Sequence, residues 1–172
     1  DRTFFKDVSD YQPSQLIKDI ASLNQGVDFR GLKLRAPTSF CVGAVIDFSK
    51  GIEQEARQAR RKVEAGADFF LVQTFYRTEQ ADQFHEAYRK QGGQEFPRPL
   101  FYGLPILEKD GIIFGDVPEQ VQRDLEQGRS GADLALEQLR AFVEHGMTTI
   151  YVVPPILRGG RRNYAAARDL LR

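Results

Sequence analysis

The sequence predicts an α/β chain in which helices and strands alternate and the strands form a parallel sheet. Three observations carry this. First, Lys62 to Tyr76, KVEAGADFFLVQTFY, reads as the last turn of a helix, a glycine stop and a strand. The apolar run Phe69-Phe70-Leu71-Val72 inside it is bounded by turn signals, which suits a strand buried on both faces. Second, the same grammar returns eighty residues on, where VEHGMTTIYV answers VEAGADFFLV. A glycine past a helix C-terminus is common at such joins, so this echo supports a repeated unit and carries no function by itself. Third, helical and strand patterns alternate along the rest of the chain.

The elements run in order. Residues 3–9 are short and ambiguous. Ser9 or Asp10 is the expected cap of a helix from Pro13 to Leu23, with Pro13 in its first turn and an apolar stripe of Leu16, Ile17, Ile20 and Leu23. Asn24-Gln25-Gly26 stops it, and residues 27–37 form a loop. A strand is expected over Ser39 to Phe48, interrupted by Gly43, where a ligand or another backbone would approach closely. Ile52, Ala56, Ala59 and Val63 share one helical face.

The strand at 67–76 ends near Gln73, a large amide at a C-terminal strand end. A helix from Thr78 to Gln91 comes next, with Thr78 as N-cap, Ala81, Phe84, His85 and Tyr88 inward, and Gly92-Gly93 as its stop. Leu100 to Leu107 is the third strand, and 108–117 is an irregular insert. Pro118 starts a helix to Gln127, residues 128–131 break it, and 132–145 resumes. The fourth strand spans 148–153, Pro154 to Gly160 is its exit loop, and Tyr164 to Leu171 is the last helix. This alternation calls for a parallel sheet with helical crossovers. A complete eight-fold barrel needs ~250 residues, so four strand–helix units make either a small open α/β domain or half of a barrel.

Composition narrows the function classes. Lys plus Arg equals Asp plus Glu at 24 each, so no net field draws the chain to nucleic acid or an anionic membrane. The basic run Arg57, Arg60, Arg61 and Lys62 is interleaved with Glu53, Glu55 and Glu64 and reads as a solvated helix face. One cysteine excludes an internal disulfide and a Cys-based zinc site. Cys41, within an apolar pattern, reads as a small core residue. His85 and His145 are not spaced as a metal pair. No apolar run approaches the ~20 residues of a membrane span. No signal peptide is read. The chain opens without a methionine and reads as a fragment of a longer protein. No Gly-x-Ser-x-Gly or Gly-Lys-Ser/Thr loop is present. Arg158-Gly159-Gly160-Arg161-Arg162, after the fourth strand, is either an anion site or a solvated turn.

Taken in order, several segments resemble the methylenetetrahydrofolate reductase family, and most of all its bacterial branch joined to a homocysteine methyltransferase. They are Leu23 to Gly26 through Gly31, Pro37-Thr38, Phe40 and Gly43-Ala44, then Lys62 to Phe69 with Gln73, then Tyr102-Gly103-Leu104-Pro105-Ile106. The similarity runs from about Asp7 to Leu171, and it is order and spacing that make it, since no single motif is specific. It implies one domain over 1–172 that is strands five to eight of a TIM (β/α)8 barrel, with the amino-terminal half missing. It implies flavin-dependent reduction of 5,10-methylenetetrahydrofolate to 5-methyltetrahydrofolate, with NAD(P)H as donor, in cytoplasmic one-carbon and methionine metabolism.

The resemblance also assigns residues. Gln73 matches the glutamine that hydrogen-bonds the pterin, a job an amide suits because it donates and accepts. Lys62 matches a lysine near the FAD phosphates, Glu55 an acidic residue on the flavin side, and Gly43 and Ala44 small residues under the flavin. The catalytic acids belong to the missing half. The implied partners are the folate, NAD(P)H, an upstream methyltransferase domain and further copies of the full-length protein. The chain departs from the family in the short loop Asp47 to Gly51, which lacks a His, in Val153-Pro154-Pro155-Ile156, and in the insert 108–117. A folate-binding methyl-transfer barrel without nicotinamide chemistry is the alternative, and an isolated half-barrel is expected to be inactive.

Overall fold

The computed structural model describes residues 11–113 and 116–171. The expected segment 3–9 and its caps Ser9 and Asp10 lie outside them. Helix α1 spans Pro13–Asn24, and Gln12 holds its N-cap position without a side-chain bond. Asn24 then ties down the long loop after the helix. Its Nδ2 donates to Phe40 O at 2.8 Å, while its Oδ1 accepts from Thr38 Oγ1 at 2.7 Å and Phe40 N at 2.8 Å.

Four parallel strands come next: β1 (Gly43–Ile46), β2 (Phe69–Val72), β3 (Leu100–Pro105) and, after a short β4 (Gly111–Ile112), β5 (Ile150–Val153). Between them run α2 (Ile52–Glu64), α3 (Glu79–Gly92), α4 (Glu119–Glu126) and α5 (Gly131–Glu144); β6 (Ile156–Leu157) and α6 (Tyr164–Leu170) close the chain. The sheet order β1-β2-β3-β5 is that of the chain. Crossovers of one hand then lay the helices on one face.

The pleat makes this visible. Ala44, Ile46, Phe70, Val72, Leu100, Tyr102 and Leu104 all point one way and are buried in the main core with Ala56, Ala59, Phe84, Tyr88 and Phe142 from the helices. On the other face Val45 is 41% exposed, and Phe69, Leu71, Phe101, Tyr151 and Val153 are only partly buried. The glycine echo is a backbone requirement, since Gly66 and Gly146, each past a helix end, have φ of 108° and 82°.

Each strand is shorter than the sequence pattern suggested. The segment 39–48 contributes only Gly43–Ile46 because Asp47 turns the chain, its Oδ1 accepting from Ser49 N at 3.1 Å and Ser49 Oγ at 2.6 Å as cap of a 3-10 turn. Cys41 therefore precedes the ladder and is exposed, not a core residue. The basic face of α2 is not wholly solvated either. Arg60 stacks over Tyr88 at 4.1 Å and donates to Tyr88 O at 2.8 Å, and the amine of Lys62 is also engaged. The insert and the exit loop, expected to be irregular, pair as an antiparallel ribbon, with Gly111 opposite Leu157 and Ile112 opposite Ile156.

Two glycines are set by aromatic neighbours. A Cβ on Gly43 would lie 2.4 Å from the Phe69 ring. One on Gly103 would lie 2.8 Å from Tyr151 Oη and 2.9 Å from Val72 O. The tyrosine crosses this gap to donate its hydroxyl to Val72 O at 3.0 Å. Because Val72 O is backbone and cannot retreat, Gly103→Ala is expected to destabilise the chain by about 1–3 kcal/mol. Urea unfolding measures this, and an unchanged midpoint would mean that strand β3 is not packed as described.

Candidate functional site

The site is built at the C-terminal ends of the strands, where loops carry function in α/β sheets. Ile46, Val72, Tyr102 and Ile150 occupy one row of the sheet. One residue further on, Asp47, Gln73, Gly103 and Tyr151 share the next row, all on the less buried face, with Gly103 and Tyr151 directly paired. Gln73 continues the ladder by donating its N–H to Ile46 O at 2.8 Å, and its side chain is exposed. Beside it Gly103 contributes no side chain. Gln73 is thus an exposed amide at a strand end, and the Tyr151 ring takes the space that Gly103 leaves beside it.

A cleft of about 530 Å³ opens around the other side of the same strand exit. Phe48, Phe75 and Tyr76 form its apolar walls, and Thr74, Gln80 and Arg77 its polar lining, with Asp116 on the facing segment. Phe75 is locked in place, edge-on to Phe48 at 5.0 Å and stacked on Phe142 at 4.9 Å. A smaller cavity of about 220 Å³, lined by Leu107, Leu134 and Gln138 among others, lies on the far side of Tyr76. Gln138 Nε2 donates to Tyr76 O at 3.0 Å, fixing the backbone at this wall. The Tyr76 hydroxyl is buried without a hydrogen-bond partner among the described residues, and burial pushes its pKa up. Periodicity did not point to this cleft. Its signal was the aromatic pair Phe75-Tyr76 and then Arg77, which periodicity alone treats as the end of a strand.

The other expected site residues gather along β1, with Glu55 reaching its exit. Ala44 faces the helices and is buried. Gly43 is exposed, but the Phe69 ring takes the place a side chain would fill there. Glu55 is only 5% exposed, and its Oε2 accepts from Asp47 N at 2.9 Å, which braces the loop after β1. Lys62 Nζ donates to Val45 O at 2.6 Å. Burial holds its pKa below the ordinary lysine value, against the opposing pull of Glu55. Ala44 is buried, and Glu55 and Lys62 are taken up by backbone groups of β1 and its exit, so a flavin does not fit these residues as they stand. Arg158, Arg161 and Arg162 are exposed on the turn around β6. Among the described residues no cluster of His, Cys, Asp and Glu could hold a metal, and no helix is long and apolar enough to cross a membrane.

No family profile matches the chain, and no curated protein is significantly similar to it. Among solved structures, the chain is similar to an uncharacterised protein from Clostridium thermocellum that binds two copies of 5-methyl-5,6,7,8-tetrahydrofolic acid. The TM-score is 0.54 at 16% identity, over 96% of this chain and 69% of that one. At that identity the likeness is one of fold: an α/β chain with a parallel sheet. A candidate phosphonomutase from Burkholderia cenocepacia J2315 also aligns, at 17% identity over 94% of this chain and 59% of that one, but its TM-score of 0.43 is too low to bear on the fold.

The orphan hydroxyl gives a stability test. With no partner to lose, Tyr76→Phe removes a desolvated polar atom and is expected to raise stability by about 1 kcal/mol. A lower urea midpoint in that variant would mean that the hydroxyl is hydrogen-bonded after all.

Proposed function

We propose that this chain binds a reduced folate of the 5-methyltetrahydrofolate class at the C-terminal end of its sheet. The observation that carries the reading is Gln73, an exposed strand-end amide on the less buried face of the sheet. An amide there can donate to and accept from the edge of a pterin. The folate-binding protein of similar fold supports the ligand class.

In the same reading the sheet is half of an eight-stranded barrel. Its order runs along the chain without reversal, and its second face keeps apolar side chains partly exposed, which parallel sheets rarely do. The finer form of the proposal is the reductase of the resembled family, with NAD(P)H as donor and FAD between donor and folate. Bound flavin would supply the hydride chemistry, and the acids would come from outside this chain. The placement of Ala44 and Glu55 favours the other form, a folate-binding barrel in a methyl-transfer system without nicotinamide chemistry.

Calorimetric titration of the chain with 5-methyltetrahydrofolate tests the reading. Binding is expected, and Gln73→Ala should weaken it about tenfold, the loss of one or two hydrogen bonds. Absence of binding by the wild type removes the folate assignment. A visible spectrum separates the two forms, since uptake of FAD that bleaches with NAD(P)H selects the reductase and a colourless folate-binding chain selects the other.

A further inference from the structure

The segment between α1 and β1 has no part in the site described above. Asn24 anchors it at Phe40, beside the N-terminal end of β1, so it lies at the end of the sheet away from Gln73. Its first half is a closed turn. Val27 pairs with Lys33 as an antiparallel bridge, and Asp28 N donates to Leu32 O at 2.9 Å. Asp28 Oδ1 accepts from Arg30 N and Leu32 N, each at 2.8 Å, and Gly31 supplies the positive φ of 82°. These backbone bonds hold two large apolar side chains out in water, Phe29 at 63% exposure and Leu32 at 60%. Arg30, Lys33 and Arg35 are exposed around them, and none pairs with a carboxylate among the described residues. Asp28, the one acid of the turn, is engaged by backbone N–H groups.

A single exposed apolar side chain is ordinary, but two on one hydrogen-bonded turn, set among three cations, are not. Cations beside exposed apolar groups suit a surface that is negative outside and apolar just beneath, which is the chemistry of an anionic lipid surface. A nucleic acid would use the cations and could stack on Phe29. Arg30 already lies over that ring at 5.2 Å, however, and the aliphatic Leu32 would gain nothing from a stacked base. We propose that this turn attaches the chain to anionic lipid headgroups, with Phe29 and Leu32 entering the interface and Arg30, Lys33 and Arg35 at the phosphates. The balanced charge of the whole chain does not oppose this, because attraction to the surface fades within a Debye length of ~8–10 Å and the local excess decides. With so few groups engaged, the attachment is weak and reversible. It is independent of the folate reading, whose residue Gln73 sits at the other end of the sheet.

Co-sedimentation with vesicles tests the inference, using pure phosphatidylcholine and phosphatidylcholine with about one-third phosphatidylserine. The chain should sediment with the serine-containing vesicles, not with the pure ones, and should be released at about 0.5 M NaCl, where surface charge is screened. Phe29→Ser with Leu32→Ser should weaken the partitioning at least about tenfold. Arg30→Gln with Lys33→Gln should weaken it by about fivefold for each cation lost. All four residues are exposed, so both variants should fold, and circular dichroism checks that. Binding of 5-methyltetrahydrofolate should be alike in all three proteins, which keeps this outcome separate from the folate reading. The inference is overturned if the chain ignores the serine-containing vesicles, if it binds both kinds equally, or if the Phe29 and Leu32 variant binds as well as the wild type. It is equally overturned if single-stranded DNA displaces the vesicles and binds with no dependence on Phe29 and Leu32, since the turn would then be a polyanion site.

Discussion

Ile46, Val72, Tyr102 and Ile150 are locked side by side by the ladders of a four-stranded parallel sheet, and everything placed at its C-terminal end depends on that register. Because side chains alternate with a period of two, the register sorts each strand into a face sealed by helices and a face that is not. It also sets the next row, in which Asp47, Gln73, Gly103 and Tyr151 come into line. A slip of one residue would bury Gln73 among the helices and turn Val72 outward. The burial of Val72 at 0% exposure, against the exposed Gln73, shows how firmly that alternative is excluded.

Two interactions hold the ends of this sheet. Tyr151 reaches across Gly103 to Val72 O, which ties β5 to β2 over the intervening strand. At the opposite edge Val42 O and Ile46 O accept from β2, so Val45 O faces away from it, and Lys62 supplies the hydrogen bond that a neighbouring strand would give. A charged amine on an edge carbonyl blunts a strand edge that would otherwise pair at random. It does so at the cost of drawing Lys62 out of water, and its lowered pKa reflects this.

Much of this architecture was legible. Helix stops at Gly26, Gly66 and Gly146, the faces of α2 and α3, and the four parallel strands can all be read from apolar spacing and left-handed glycines. Gln73 was legible too, as the polar residue that ends an apolar run. What the sequence hid was contact between distant segments. The β4–β6 ribbon joins residues about 45 apart through two pairs each too short to show a period. Gly43 signalled a close approach by a ligand or another backbone, but the approaching group is the Phe69 ring, and at Gly103 it is Tyr151 with Val72 O; no local pattern gives the direction of these rings. The cleft at Phe48, Phe75 and Arg77 was hidden because it joins loops that leave two different strands.

Resemblance and structure therefore part at particular residues. A family motif transfers a residue type to a position, but it transfers a role only if the side chain is free to play it. Lys62 and Glu55 are held by backbone groups of this chain, Lys62 at Val45 O and Glu55 at Asp47 N. To contact a phosphate, Lys62 would first have to give up a charge-assisted bond of the stronger kind, and Glu55 would leave a backbone N–H without its acceptor. Gln73 gives up nothing comparable, since its side chain is exposed at a strand exit. If the sheet is closed by further strands, one of them must take Lys62's place at Val45 O. The lysine would then be released from the strand edge and the question of its role reopened, while Gln73, held by its own strand, would stay where it is.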